Sequence, residues 1–300
     1  MMSRNILRKL IPDFLLNKYR DFIKLKTNRV IKQRFIDGDI ITQTMIENDI
    51  RNSGINEGDS VLVHSSLSKV GCVEGGAKTI VNAFINVIGT KGNLLMPTSP
   101  NSGLQLNYIK KIDFFDVLND SSNLGAVSEY FRKIPNCERS AHPTEPVSCI
   151  GPDAKFFTKD HFGQETPYNS KSPFYRIIER EGKIVYLGVT LENAGTNLHT
   201  LEDAIEDFKY PVYLDELFEV SVKFPNGQVK SMKTKVHNPH QSKKRKCDDL
   251  IPLFKKRGSL KEKKIGEADA LIVDAKLMFE QMLNEYNEKG VTMYTPKGDK

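Results

Sequence analysis

The spacing of hydrophobic residues changes from strand-like to helix-like and back between Ser60 and Pro100. Val61–Val63 form a short apolar run rich in β-branched residues, which predicts a buried strand. Apolar residues then recur every three or four positions over Ala77–Ile88, which predicts an amphipathic helix. A second apolar run, Leu94–Met96, predicts another strand. The stretch is therefore a predicted βαβ unit, and ligands of such units gather at the carboxyl ends of the parallel strands.

The same strand-like and helix-like spacings of apolar residues predict further strands and helices along the rest of the chain. Alternating apolar and polar residues around Asn226-Gly227 are typical of a β-hairpin. Residues 101–122 have little periodicity and are predicted to form a long irregular loop, and the residues after Gly290 are predicted to fray. The other predicted helices cover residues 42–53, 125–134, 152–159, 174–181, 248–256 and 274–289, and the other predicted strands cover residues 147–150 and 184–189, with two more within 263–273.

Composition narrows the class of protein. The 300 residues are 39% hydrophobic, enough for a substantial core, and no apolar run reaches the ~20 residues that cross a bilayer. No signal-peptide pattern is found, and the four cysteines are far apart without CxxC spacing. We therefore expect a reduced, cytoplasmic protein with no metal site. The net charge of +6 is modest, and the basic segments lack the interleaved aromatic residues that stack on nucleic acid, so no nucleic-acid partner is expected.

Residues 1–36 differ in character from the rest of the chain. They carry ten lysines and arginines against two aspartates, with an apolar stripe that begins at Ile6 and Leu7. This pattern predicts a basic, helical N-terminal extension. Such a helix can lie on the inner, anionic face of a membrane as a peripheral contact. It can equally pack on its own domain or on a partner subunit, for instance in a homodimer, and the sequence leaves these interpretations open.

Several short motifs occur in a fixed order over about residues 41–285. They are VHSSLSKVG at residues 63–71, GGA at 75–77, MPT at 96–98, RSAHP at 139–143, SP at 172–173, KIVYLGV at 183–189 and TNLHTLE at 196–202. Each motif alone is a weak signal, but together and in this order they resemble the aminoglycoside 3-N-acetyltransferase family. Members of that family transfer acetyl from acetyl-CoA to an amine on a sugar-like substrate.

The resemblance and the predicted elements together give an expected architecture. We expect an α/β fold in which one domain, residues 37–290, forms a three-layer sandwich. Its central sheet is mixed, partly parallel, and flanked by helices. Residues 1–36 form the basic extension before it, and residues 291–300 form a tail.

The resemblance also implies a catalytic pair. Acetyl transfer to an amine needs a base that removes a proton, and histidine titrates nearest to neutral pH. His199 occupies the family position in T-x-x-H-x-x-E, and Glu202, one helical turn later, is expected to orient its imidazole. From the residues alone, the same pair could be a surface ion pair or half of a metal site.

The resemblance further implies groups that bind the co-substrate acetyl-CoA. Hydroxyls, backbone N–H groups at a strand end and a glycine turn before a helix suit its phosphates and amide arm. RSAHP matches a family motif near that arm, although His142 could instead fix its own loop. The predicted cofactor-binding residues are His64, Ser65, Ser66, Leu67, Gly75, Gly76, Thr98, Arg139, Ser140 and His142.

Acidic residues are the predicted contacts of the amine acceptor. Asp203 and Glu206 follow His199 at helical spacing, and Asp113 and Asp116 lie in the loop that walls the substrate site in the family. One position departs from the family pattern: Pro146 stands in HPTEPVS where relatives carry a serine. With the basic extension, this favours an amino-sugar precursor of surface polysaccharide over an antibiotic as the acceptor. The alternative is a catalytically idle relative that serves as a membrane-associated scaffold in polysaccharide synthesis.

Overall fold

The computed structural model describes residues 33–300 without a gap, and before them residues 18, 22, 25, 29 and 30. The predicted amphipathic helix of residues 1–36 therefore lies almost wholly outside the described residues. At its described end, Arg34 donates from Nη1 to Oε2 of Glu267 at 3.1 Å, which ties this segment to a turn of the main domain. None of the helices described has both the length and the apolar character needed to cross a membrane.

The central layer is a seven-stranded sheet. Its strands are β1 (Ser60–Ser65), β2 (Asn93–Pro97), β4 (Glu138–Arg139), β5 (Val147–Ile150), β6 (Lys183–Leu187), β9 (Leu260–Ile265) and β10 (Ala268–Asp274). They lie in the order β4-β5-β2-β1-β6-β10-β9. The middle strand, β1, runs parallel to β2 and to β6, and every other pairing in the sheet is antiparallel. The sheet is therefore mixed and partly parallel, as predicted.

Short helices cover both faces of this sheet. The α-helices are α1 (Gln43–Asn52), α2 (Leu67–Val70), α3 (Ala77–Ile88), α4 (Gln105–Ile109), α5 (Ala126–Phe131), α6 (Ala154–Thr158), α7 (Pro173–Glu179), α8 (Leu191–Ala194), α9 (His199–Ala204), α10 (Pro239–Ser242), α11 (Ile251–Lys256) and α12 (Ala275–Lys289). Single 3₁₀ turns precede α9 at Thr196–Leu198 and α11 at Cys247–Leu250.

Strand alternation divides the core into two clusters. Val61 and Val63 face one cluster together with α1, α3 and α5, whereas Leu62 faces the other with α6, α7, α11 and α12. All three β1 side chains are almost completely buried. Because strands buried on both faces need continuous apolar runs, this explains why Val61–Val63 has no polar member. The predicted three-layer arrangement is confirmed.

Predicted helix starts coincide with capping side chains. Thr42 accepts from the Met45 N–H before α1, and Ser172 accepts from the Tyr175 N–H before α7. Each of these oxygens satisfies a backbone donor that has no partner inside its helix.

A second sheet holds β3 (Phe114–Asp116), β7 (Phe218–Lys223) and β8 (Val229–Thr234) in the order β3-β7-β8. The hairpin predicted around Asn226-Gly227 joins β7 to β8, with Gly227 at a φ of 83°. The loop predicted over residues 101–122 was only partly correct, because it contains α4 and β3. β3 has three residues and pairs with a strand a hundred positions later, so no local period signals it.

The chain after α12 is packed rather than frayed, so that prediction was wrong. Gly290 ends α12 in the left-handed conformation, with φ 70° and ψ 24°. Residues 291–294 then turn back and are buried, and Val291, Met293 and Tyr294 join the same cluster as Leu62. The segment has too few residues to show a period in the sequence.

Candidate active site

A cavity of about 310 Å³ opens at the carboxyl ends of the parallel strands β1, β2 and β6. His64 and Ser65 end β1, Pro97 ends β2, and Val189 follows β6 by two residues, and all four line the cavity. This is the sheet edge at which the βαβ pattern places a ligand. Further parts of its wall come from residues 101–105, from residues 191–196 and from the segment that holds Ser242, Arg245 and Cys247.

His199 and Glu202 form a buried hydrogen-bonded pair at one wall. The i,i+3 spacing on α9 brings His199 Nδ1 within 2.5 Å of Glu202 Oε2. His199 lines the cavity, and Glu202 lies behind it. Both residues are about 5% exposed or less, and this burial lowers the pKa of His199 and raises the pKa of Glu202 to about 8.

Aromatic rings pack against the His199 imidazole and against each other. Tyr168 stacks on it with ring centroids 4.8 Å apart, His237 lies 4.3 Å away at a tilt of 33°, and the Tyr168 and His237 rings are themselves 5.6 Å apart. Tyr213 in turn stacks on His237 at 5.0 Å. Because its neighbours are packed as well, the imidazole has little freedom to rotate away from Glu202.

Arg245 is a cavity residue that the sequence did not single out. Its Nη2 donates to Ser242 Oγ at 3.0 Å and to His237 Nδ1 at 3.2 Å. It lies in the basic segment of residues 243–246. Lys243, Lys244 and Lys246 of this segment are exposed, whereas Arg245 turns inward.

Glu145 is a second unpredicted residue of the cavity and stands next to Pro146. Gln105 Nε2 donates to its Oε1 at 2.8 Å, and burial raises the Glu145 pKa to about 7. Gln105 also accepts from the His237 N–H at 2.9 Å. The loop of residues 101–105 therefore does wall the site, as the family resemblance implied, but through an amide rather than a carboxylate.

Two of the predicted cofactor-binding residues line the cavity. His64 stacks flat on Tyr186 at 5.1 Å, hydrogen-bonds Thr196 Oγ1 at 3.2 Å and has a pKa lowered to about 3 by burial. Ser65 follows it at the strand end. Four others lie outside the cavity lining: Ser66 precedes α2, Leu67 begins it, and Gly75 and Gly76 form part of the turn before α3.

The other four predicted cofactor-binding residues are occupied by the protein itself. Arg139 Nη1 donates to the carbonyls of Val117 and Asp120 at 3.1 and 2.6 Å, which fixes the turn after β3 to β4. The remaining three are fully buried and also lie outside the cavity lining: Thr98 hydrogen-bonds Ser148, Ser140 hydrogen-bonds His161, and His142 hydrogen-bonds Gln164 and Thr144. For His142 these contacts agree with the loop-fixing interpretation.

None of the four predicted acidic contacts lines the cavity. Asp203 accepts from the Tyr168 N–H at 3.0 Å, and burial raises its pKa to about 6. α9 ends at Ala204, so the prediction that Glu206 shares a helical face with His199 was wrong, and Glu206 is exposed. Asp116 is buried against Asn119 and Lys223, and Asp113 lies in the turn before β3.

A metal-ion interpretation was tested on the buried polar groups. Among the described residues, His199, Glu202 and His237 bring one ligand atom each within 4.8 Å of one another. However, His199 Nδ1 and Glu202 Oε2 already bond each other, and the Arg245 guanidinium contacts His237 Nδ1. A fixed cation beside the cluster opposes a second one, so these groups fit a hydrogen-bonded network better than a metal site.

Comparison with known sequences identifies the family. The sequence model of the aminoglycoside 3-N-acetyltransferases matches residues 62–286. Aminoglycoside N(3)-acetyltransferase III of Acinetobacter baumannii is 30% identical over 201 residues, which cover 63% of this chain and 68% of the relative. The type IX enzyme of Micromonospora chalcea is 29% identical over 178 residues, 55% of this chain, and the chain spans 63% of that relative's length. The chain therefore belongs to the aminoglycoside 3-N-acetyltransferase family.

Solved structures agree on the fold. AAC(3)-Xa superposes with a TM-score of 0.72 at 21% identity, covering 88% of this chain and 98% of that one. AAC-IIIb, solved as a binary complex with CoASH, gives a TM-score of 0.70 at 22% identity, covering 83% and 97%. The YokD protein of Bacillus subtilis gives a TM-score of 0.68 at 21% identity, covering 82% of this chain and 93% of that one. The α/β fold is thus the fold of these acetyltransferases.

Proposed function

We propose that this protein transfers acetyl from acetyl-CoA to an amino group, with His199 as the general base. The observation that carries the proposal is a buried His199–Glu202 pair whose imidazole faces a cavity at the carboxyl ends of parallel strands. Family membership and a structural neighbour bound to CoASH support the acetyl donor.

The chemistry follows from the two nitrogens of His199. Glu202 occupies Nδ1, which leaves Nε2 as the nitrogen that accepts the proton of the attacking amine. The amine nitrogen bonds to the thioester carbonyl carbon, the carbon–sulfur bond breaks, and the sulfur leaves as CoA thiolate, which takes up one proton to become CoASH. Glu202 stabilises the imidazolium that forms, as a buried carboxylate does in a hydrolase triad.

The pair must hold one proton to work as a base. That proton lies on Nδ1 and is donated to the Glu202 carboxylate, with Nε2 unprotonated. A second proton neutralises Glu202 or charges the imidazole and blocks the reaction. Burial disfavours both the imidazolium and the carboxylate. The state with a neutral imidazole and an ionised Glu202 carries a net negative charge and is therefore disfavoured, which explains the raised Glu202 pKa.

The acetyl-CoA arm is proposed to approach along the end of β1. His64 and Ser65 line this end of the cavity beside Thr196. Ser65 offers a hydroxyl to the amide arm or to the thioester oxygen. Contacts of Ser66, Leu67, Gly75, Gly76, Thr98, Arg139, Ser140 and His142 with the cofactor stay predictions.

The charge of the cavity bears on the acceptor. A polycation would be received by several free carboxylates, yet the charged residues of the lining are Glu145, Glu192 and Arg245. Glu192 accepts from the Cys247 N–H at 2.8 Å, and Glu145 is bonded by Gln105. We therefore propose an amino sugar that presents one amine, such as a nucleotide-linked precursor of a surface polysaccharide, rather than an aminoglycoside.

The acceptor is tested by mass spectrometry of the products formed from acetyl-CoA with UDP- and dTDP-linked amino sugars and with aminoglycosides. We expect acetylated nucleotide-linked amino sugar at the higher kcat/KM. Efficient acetylation of aminoglycosides alone would overturn the proposed acceptor but leave the acetyl transfer standing.

The base is tested in the same assay with His199→Gln. Loss of a general base should lower kcat/KM by about 10²- to 10⁴-fold. His240→Gln is the matched control, because His240 is exposed on α10 outside the cavity, and it should keep wild-type kinetics. Equal turnover by the two variants would contradict the role of His199.

A further inference from the structure

The C-terminal segment delivers a side chain to the proposed catalytic pair. The Tyr294 hydroxyl donates to Glu202 Oε1 at 2.7 Å, while Glu202 Oε2 bonds His199. Both carboxylate oxygens therefore have a partner. Tyr294 is 8% exposed, and its ring meets Tyr210 edge-on at 5.2 Å.

The backbone around Tyr294 is fixed at several points. Thr292 Oγ1 accepts from the N–H groups of Tyr294 and Thr295, each at 3.1 Å. The Met293 carbonyl accepts from the Lys246 N–H at 2.8 Å, which attaches the segment to the chain that carries Arg245 into the cavity. A short segment thus contacts two parts of the site.

This segment lies beyond the residues that the family's sequence model matches. The sequence model ends at residue 286, eight positions before Tyr294. We propose that Tyr294 is a positioning residue for acetyl transfer, whose hydroxyl favours the carboxylate form of Glu202 and holds it aligned with His199. The inference rests on the proposed function, and it extends the proposed site from a pair to a three-residue chain.

The physical basis is a hydrogen bond to a charge. A hydroxyl that donates to a carboxylate stabilises the ionised form and opposes the effect of burial on the Glu202 pKa. Removing it should leave the buried pair protonated up to a higher pH. The titratable or charged groups around Glu202 are His199 and Asp203 of α9, Glu285 of α12, Tyr168, Tyr213, His237, Arg245, Cys247 and Tyr294.

The test is the pH profile of kcat/KM in Tyr294→Phe, which removes only the hydroxyl. Loss of a hydrogen bond to a charged group shifts the protonation equilibrium of that group by roughly 10- to 100-fold. The apparent pKa of the His199–Glu202 pair should therefore rise by about one to two pH units. Activity at pH 7 should fall by a similar factor and recover toward the wild-type value at high pH. KM for acetyl-CoA should not change.

Tyr210→Phe is the matched control. Tyr210 packs against Tyr294, but its hydroxyl donates to Asp299 at 2.9 Å and does not contact Glu202. Its pH profile should coincide with that of the wild type. If Tyr294→Phe also keeps the wild-type pKa, or loses activity by the same factor at every pH, the positioning role is overturned.

A second readout does not depend on activity. In protein with ¹⁵N-labelled histidine, the His199 resonances should report the titration of the pair, and Tyr294→Phe should move that titration to higher pH. An unchanged titration would overturn the inference. Should the wild type acetylate nothing in the acceptor panel, the proposed function fails, and this measurement still decides whether Tyr294 controls Glu202.

Discussion

At the scale of single residues, the proposed chemistry depends on two buried groups that titrate together. His199 and Glu202 are 2.5 Å apart, so protons leave the pair in macroscopic steps that belong to both residues. Burial raises the Glu202 pKa to about 8 and lowers that of His199, which places the step that creates the base near pH 8.

The pH dependence of the wild type follows from this step. Below pH 8 the pair carries its blocking proton, so log kcat/KM should rise with unit slope and level off above an apparent pKa of about 8. In Glu202→Gln this ionisation is gone, and kcat/KM at pH 9 should be about 10²- to 10⁴-fold lower than in the wild type. Steady-state kinetics between pH 6 and 10 measure the wild-type pH profile and the loss of kcat/KM in Glu202→Gln.

The acceptor amine also loses a proton in this range, which calls for a control. Two acceptors with different amine pKa values separate the contributions, because only the step of the pair stays fixed when the acceptor changes. The assignment of the ionisation to the His199–Glu202 pair would be contradicted by either of two results. One is an apparent pKa that changes fully with the amine pKa of the acceptor, and the other is a Glu202→Gln variant with wild-type rates.

The sequence located part of the site at this scale. His199 and Glu202 could be predicted as a pair because the family resemblance implied them and their spacing of three places both on one helical face. Arg245 was not, because it sits among three exposed cations and only the tertiary fold selects which one turns inward. Tyr294 was missed for a related reason, since the burial of its short segment depends on α12 and not on any local pattern.

At the scale of elements, a capping side chain marks the starts of α1 and α7, whereas no such local feature marks the end of α9. A capping oxygen is a local chemical feature, whereas α9 ends because Ile205 adopts an extended conformation, with φ −111° and ψ 113°. Because α9 ends before Glu206, Glu206 does not lie on the same helical face as His199. Strands β1 and β2 were predicted from runs of apolar residues, but β3 required knowledge of its distant partner β7.

The N-cap of α12 offers a stability test at this scale. Asp274 accepts from the Leu277 N–H at 2.9 Å, and α12 leads directly to the Tyr294 segment. Asp274→Ala should lower the free energy of unfolding by about 1 kcal/mol, as loss of a cap does, measured by urea unfolding. Asp274→Asn keeps a capping oxygen and should stay close to the wild type. Equal stability of Asp274→Ala and the wild type would show that the cap contributes nothing here.

At the scale of the whole molecule, the three layers were predictable and the closing segment was not. Apolar runs marked the buried strands, and amphipathic periods marked the covering helices. The order of the short motifs then implied the family, which the match over residues 62–286 confirms. The prediction of a frayed tail failed because Val291, Met293 and Tyr294 fill a groove whose walls come from distant parts of the chain.

The fold as a whole should be stabilised by the proposed cofactor. A ligand that binds only the folded state raises stability by RT ln(1 + [L]/Kd), about 2.7 kcal/mol at 100 times Kd, so CoA should raise the midpoint of thermal unfolding in a concentration-dependent way. Ser65→Tyr places a bulky ring at the cavity end of β1 and should abolish the rise, whereas Ser68→Tyr, exposed outside the cavity lining, should keep it. Each variant is compared with its own midpoint without CoA, which separates loss of binding from loss of stability. A catalytically idle relative has no reason to bind acetyl-CoA, so a wild-type unfolding midpoint that does not change with CoA would contradict the acetyltransferase proposal. If CoA raised the midpoint of Ser65→Tyr as much as that of the wild type, the donor would bind elsewhere on the molecule.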